Sequence, residues 1–193
     1  MKQEYSSLKI RKMAYLALFT AIVFVLQFIS LFMRFSTFSI TFVLVPIVIG
    51  VSICGLGAGA WLGFVFAMAV FATGDAALFL QFDIMGTIVT VIAKGVLAGF
   101  AAGLVYKLLE NKNRYLAIIS SAVTAPIVNT GIFFLGCLAF FYDDIQSYFG
   151  LESDGVVFFI ITGLIGVNFI IELVINLLLA PTIYKIVEIK KKH

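Results

Sequence analysis

The sequence has a single histidine, and it is the last residue, His193. Ser/His catalysis and histidine-ligated metal sites within a membrane-embedded core are therefore ruled out. There is no phosphate-cradling GxxxxGK[ST] loop, so the chain does not hydrolyse ATP by itself. Charge is scarce as well: 12% of the residues are charged, against roughly 25% in an ordinary soluble domain. With 63% hydrophobic residues and a mean hydropathy of +1.16, too little polar surface exists to cover a soluble fold. The class is an integral membrane protein, all-α, with residues 1–193 forming a single membrane domain. Its formal charge of +3 does not point to nucleic acid, because the basic residues sit at the ends of apolar segments, where lipid headgroups account for them.

Apolar runs and their punctuation predict six transmembrane helices. The first runs from Met13 to Met33 behind Lys2, Lys9, Arg11 and Lys12. It exceeds the roughly 7–15 residues of a signal-peptide core and lacks a small-x-small cleavage site, so it is retained. Ala14, Ala17 and Ala21 share one face of it, which serves either as internal packing or as a docking strip for another membrane subunit. The second spans Phe38 to Cys54, with Pro46 expected to bend its middle beside a cavity. The third follows the turn Gly55-Leu56-Gly57-Ala58-Gly59, carries Trp61 near the interface and ends near Ala72. A short polar stretch from Gly74 to Asp83 precedes the fourth, Ile84 to Leu109. The fifth, Tyr115 to Phe141, is expected to break at Pro126. An acidic loop with Asp143, Asp144, Glu152 and Asp154 leads to the sixth, Val156 to Val187.

Sorting charge by loop orients the bundle. The amino terminus, the turn Glu110 to Arg114 and the tail Lys190 to Lys192 hold most of the basic residues, which places both termini in the cytoplasm. Arg34 is the exception, a cation on the outer side that is either plain surface or an attractor for anionic solutes. Cys54 and Cys137 fall towards opposite faces, beyond the reach of a disulfide, and are read as free thiols.

The fourth helix contains the residue that most needs explaining. Lys94 lies near its middle, where a charge costs at least about 2.5 kcal/mol and usually faces a protein interior, a wet cavity or a ligand. Gly95, Gly99 and Gly103 follow at four-residue spacing, a smooth stripe for close helix packing. On the sixth helix Asn168, Glu172 and Asn176 share a face, and on the fifth Asn129 and Thr130 follow Pro126. Counted at 1.5 Å per residue, Lys94, Asn129 and Asn168 all lie about 15–18 Å from the outer ends. They form either a Lys94 to Glu172 ion pair bridged by asparagines or a polar pocket open outward. The pairs Gly74-Asp75 and Tyr142-Asp143 have the look of intramembrane aspartyl-protease motifs. However, their order is reversed and both aspartates fall in outer loops, not in one dry site.

The segments TFVLVPIVIG (Thr41 to Gly50), GLGAGAWLGFVFAMAVFATGDA (Gly55 to Ala76), AKGVLAGFAAGLVYKLL (Ala93 to Leu109) and APIVNTGIFFLGCLAFF (Ala125 to Phe141) resemble the substrate-binding S components of energy-coupling factor (ECF) vitamin transporters. The chain is most similar to the pantothenate-type branch, through Asn129-Thr130-Gly131 and the Lys94-Gly95 helix. Many members have Gly-Pro at the turn after the second helix, where this chain has Gly55-Leu56. The resemblance implies a non-enzymatic importer subunit, without cofactor or metal, that captures a water-soluble vitamin outside. It would dock on an EcfT-like transmembrane subunit driven by two cytosolic ATPase subunits and topple to release the vitamin inside. The strip Ala14, Ala17 and Ala21 matches the family's docking surface. Lys94 would hold the carboxylate of pantothenate, Asn129 and Asn168 would bond its amide and hydroxyl groups, and Thr130 would assist. Glu172 would orient Lys94 or accept a hydroxyl, and the loop with Arg34 would close over the site. An S component for riboflavin or folate, or a stand-alone small secondary carrier, is the alternative.

Overall fold

The computed structural model describes residues 2–35, 38–39 and 42–192, with side chains for 9–32 and 42–189. Among the described residues the chain folds as α1 (Lys2–Ser30), a 3-10 turn (Leu31–Met33), and a two-residue antiparallel ladder of β1 (Arg34–Phe35) with β2 (Phe38–Ser39). The helices α2 (Leu44–Cys54), α3 (Leu56–Thr73), α4 (Ala77–Phe82), α5 (Ile84–Leu109) and α6 (Arg114–Phe140) follow. Then come α7 (Tyr142–Phe149), α8 (Ser153–Phe159), a π-helical stretch (Ile160–Gly166) and α9 (Val167–Lys192).

Five helical segments are long and apolar enough to cross a bilayer: Lys9–Ser30, Leu56–Thr73, Ile84–Leu109, Arg114–Phe140 and Ser153–Ile189. The expected second span is shorter than its sequence suggested. α2 has 11 residues, about 16 Å of helix, or half the hydrocarbon thickness. Pro46 is its third residue, in the first turn, where the backbone N–H has no helical acceptor to lose, so the expected mid-helix bend is absent. The expected break at Pro126 is absent too, since α6 runs through it without interruption.

Polar residues set the ends of these elements. Asp83 caps α5, its Oδ1 accepting from Met85 N at 2.9 Å, and Asn113 caps α6 in the same way from Leu116 N at 3.1 Å. The acidic loop is largely α7, which has Asp143 and Asp144 in its first turn, where the helix dipole favours them. Gly74 closes α3 at φ 72°, a left-handed conformation that side chains resist. Around it the N–H of Asp75 donates to Val70 O at 3.2 Å, and the chain reverses there.

Helices α3 and α5 meet backbone to backbone at glycines. A Cβ added to Gly59 would run into the carbonyl oxygen of Gly99, and one on Gly63 into that of Gly95. The stripe Gly95, Gly99 and Gly103 therefore does pack against a partner helix, and the partner is α3. Two apolar cores form on this frame. One joins α1, α2, α3, α5, α6 and α9, with Val23, Ile47, Leu62 and Ile118 fully enclosed. The other gathers Cys137, Phe141, Ile145, Val156 and Ile160 with Phe79, Phe82 and Phe133 around them. Cys54, near Lys12 O, and Cys137, in the second core, form no disulfide.

Candidate functional site

Lys94 is placed by its neighbour. Because Gly95 has no side chain, α5 lies against α3 backbone to backbone, and Lys94 leaves that seam beside it. Its Nζ stands 5.0 Å from the ring centroid of Phe133 and 6.0 Å from that of Phe66, the aromatic setting that suits a desolvated ammonium. Among the described residues it has no ion-pair or hydrogen-bond partner. Glu172 is the acidic group that bears on it most strongly, followed by Asp75.

Helix α9 supplies a polar ladder on its inner face. Asn168 Nδ2 donates to Glu172 Oε1 at 3.3 Å, and Asn176 Nδ2 donates to the Glu172 carbonyl at 2.8 Å. Glu172 is completely buried. These bonds run along one helix, so the asparagines do not bridge helices to it as the ion-pair alternative supposed. The π-helical stretch just before α9 adds a wide turn of the kind that gathers at functional sites, and it brings Leu164 and Ile165 to the same place. From α6, Asn129 and Thr130 face them, three and four residues after Pro126.

These side chains enclose one cavity of about 110 Å³, several times the roughly 10–15 Å³ that one water needs. Lys94, Asn129, Thr130, Asn168 and Glu172 all line it, so the predicted residues of three helices converge. Phe66, Val70 and Val91 of the first core form one apolar wall, and Phe79, Phe133 and Leu164 of the second form another. The side chain of Arg34 lies outside the described residues, so its place at this site is undefined. Ala14, Ala17 and Ala21 are exposed and stand apart from the buried face of α1, which consists of Phe19, Val23, Gln27 and Ser30. Internal packing by that strip is thus not seen among the described residues.

Two polar lining residues escaped the sequence reading, Gln27 and Asp75. Gln27 on α1 donates through Nε2 to the Asp75 carboxylate and to Thr73 Oγ1, the latter at 3.3 Å. A signal existed for Gln27: an amide inside an otherwise apolar span must find partners in the protein. Asp75 gave none, because in sequence it reads as one more outer-loop acid. Among the described residues, four that line the cavity keep buried acceptor oxygens without a partner: Gln27 Oε1, Asn129 Oδ1, Asn168 Oδ1 and Glu172 Oε2. Native proteins rarely leave such atoms unpaired, so the cavity is built for polar contents.

No curated protein and no solved structure matches the chain. A family model described as "ECF transporter, substrate-specific component" does match it, over residues 11–184, which include all five long apolar helices except the ends of the first and last. The protein is accordingly a multi-pass component of the cell membrane and a transport subunit, not an enzyme. With a solute-sized polar cavity among its spans and a match over most of its length, the chain belongs to the family of substrate-specific components of ECF transporters.

Proposed function

We propose that the chain is the specificity subunit of an ECF importer for a water-soluble vitamin, pantothenate by preference, taken from the outer side at the cavity around Lys94. The reading has α2 completing a six-segment bundle with both termini in the cytoplasm, and the end bearing α4 and α7 facing outward. One observation carries it: an ammonium group inside an apolar span has no ion-pair partner among the described residues and lines a cavity. An anionic solute would supply the missing charge through a charge-assisted hydrogen bond. Pantothenate offers a carboxylate at one end and an amide and two hydroxyls beyond it. Asn129, Asn168 and Glu172, which line the cavity, each keep a buried acceptor oxygen without a partner among the described residues, and Thr130 adds a hydroxyl beside them. Glu172 also balances Lys94 through space, which would keep the empty site from carrying an uncompensated charge.

Energy for uptake would come from an EcfT-like membrane subunit and two cytosolic ATPases. The exposed strip of Ala14, Ala17 and Ala21 has the small side chains that let another membrane helix approach closely. Mass spectrometry of the small molecule that co-purifies with the protein tests the vitamin. Pantothenate would support the assignment, and riboflavin or folate would replace it. Uptake into cells with and without the ATPase module tests the transport class. Uptake without the module would make the chain a stand-alone carrier.

A further inference from the structure

The polar atoms of the cavity are unbalanced, and Gln27 shows how. It reaches in from α1, 1% exposed, while Lys94, Asn129 and Asn168 come from α5, α6 and α9. Its Nε2 is committed to the Asp75 carboxylate. A carboxylate only accepts, so the amide cannot be turned round: nitrogen towards Asp75, oxygen left over. That Oε1 is buried and has no partner among the described residues. Asn168 is fixed by the same logic, its Nδ2 on Glu172 Oε1 and its Oδ1 likewise without a partner among them. The wall therefore presents fixed acceptors and calls for donors, and a buried acceptor left alone is unfavourable. If Gln27 only tied α1 to the α3–α4 turn, the bonds through Nε2 would complete its role, and a residue lining the cavity would not keep a buried Oε1 without a partner among the described residues.

We propose that Gln27 is a specificity-determining residue of the substrate site: its Oε1 accepts a hydrogen bond from a hydroxyl or amide N–H of the solute, at a part of the solute distinct from the anionic group held by Lys94. The inference rests on the reading of this cavity as the solute site. It defines a two-ended selection, in which a solute needs an anion for α5 and a donor for the α1 wall. Sites that hydrogen-bond a substrate hydroxyl reject analogues lacking it far better than apolar pockets reject size differences, because the site's own polar atom is then stranded.

The test is isothermal titration calorimetry on the purified full chain, wild type and Gln27→Met. The titrants are pantothenate and its analogue without both hydroxyls, N-(3,3-dimethylbutanoyl)-β-alanine. Wild type is expected to prefer pantothenate by about tenfold or more, and Gln27→Met to erase that preference by weakening pantothenate alone. Equal weakening of both compounds, or of neither, overturns the role of Oε1 and leaves Gln27 structural. Should Gln27→Met not fold, Gln27→Asn, which keeps the amide but withdraws it, is expected to lose the same preference and is judged by the same outcomes. If wild type binds neither compound, the pantothenate reading fails separately, and folate with 10-methylfolate, which keeps the carboxylates but lacks the N10–H donor, becomes the deciding pair. Loss of the folate preference on substitution then supports Gln27, and its retention overturns the proposal. Binding of none of the four by wild type sinks the cavity reading and the Gln27 inference together.

Discussion

Gly63 and Gly95 lie so close that each occupies, with its own carbonyl oxygen, the space a Cβ on the other would need. This contact fixes the distance and rotation of α5 against α3. It also sets Lys94, one residue away, beside the cavity and Phe66 of α3 within 6.0 Å of its ammonium.

Gly63→Ala and Gly95→Ala are therefore expected to destabilise the protein by about 1–3 kcal/mol, the usual cost of overpacking a close interface. Thermal unfolding in detergent reads this as a lowered Tm. A Tm equal to wild type would mean that the helices separate without penalty and that the seam does not set the site. Gly57, with open space where its Cβ would lie, is the internal control and should tolerate alanine better.

Lys94→Met keeps most of the apolar stem and removes the charge. If the ammonium holds a carboxylate, pantothenate affinity measured by calorimetry should fall about 10-fold to 100-fold, the range for a charge-assisted hydrogen bond. Unchanged affinity would take Lys94 out of ligand binding.

Ala17→Trp and Ala21→Trp place large rings on an exposed face that no described part of the chain covers. Vitamin binding should survive, while co-purification with the EcfT-like subunit and its ATPases should be lost. Retention of the complex by both variants would count against the strip as a docking surface.

Orientation can be read from the two thiols. Cys54 is partly accessible and its Sγ lies 3.7 Å from Lys12 O, at the amino-terminal end, whereas Cys137 is buried. In intact cells a membrane-impermeant maleimide should leave Cys54 unmodified, and permeabilisation should make it reactive while sparing Cys137. Modification of Cys54 before permeabilisation would invert the assigned topology.

Much of this arrangement is visible residue by residue before folding. Ile84 to Leu109 gives its helix to the residue, because a capping Asp83 and an unbroken apolar run leave no competing structure. Lys94, Asn129 and Asn168 announce themselves because a polar group in an apolar span has no place in lipid. The two prolines were misleading for one physical reason. A proline's effect depends on its position within a helix and on what donates to the freed carbonyl, and neither is local to the residue. The π-helical turn at Ile160–Gly166 has no distinct sequence signature beyond Gly163 and Gly166, and it shifts the register with which α9 meets its neighbours.

The sequence by itself determined the class, the long spans, the stripe of glycines and the presence of costly polar groups within the membrane. It could do so because burial in lipid penalises each of these residues one at a time. Only the tertiary structure decided that Lys94 has no ion-pair partner among the described residues, that Asp75 turns inward to hold Gln27, and that residues lining a cavity keep buried acceptor oxygens without partners among the described residues. Hydrogen-bond partnership depends on distances of a few tenths of an ångström between side chains far apart in the chain. Helix periodicity does not set those distances; the packing of α1, α3, α5, α6 and α9 against one another does.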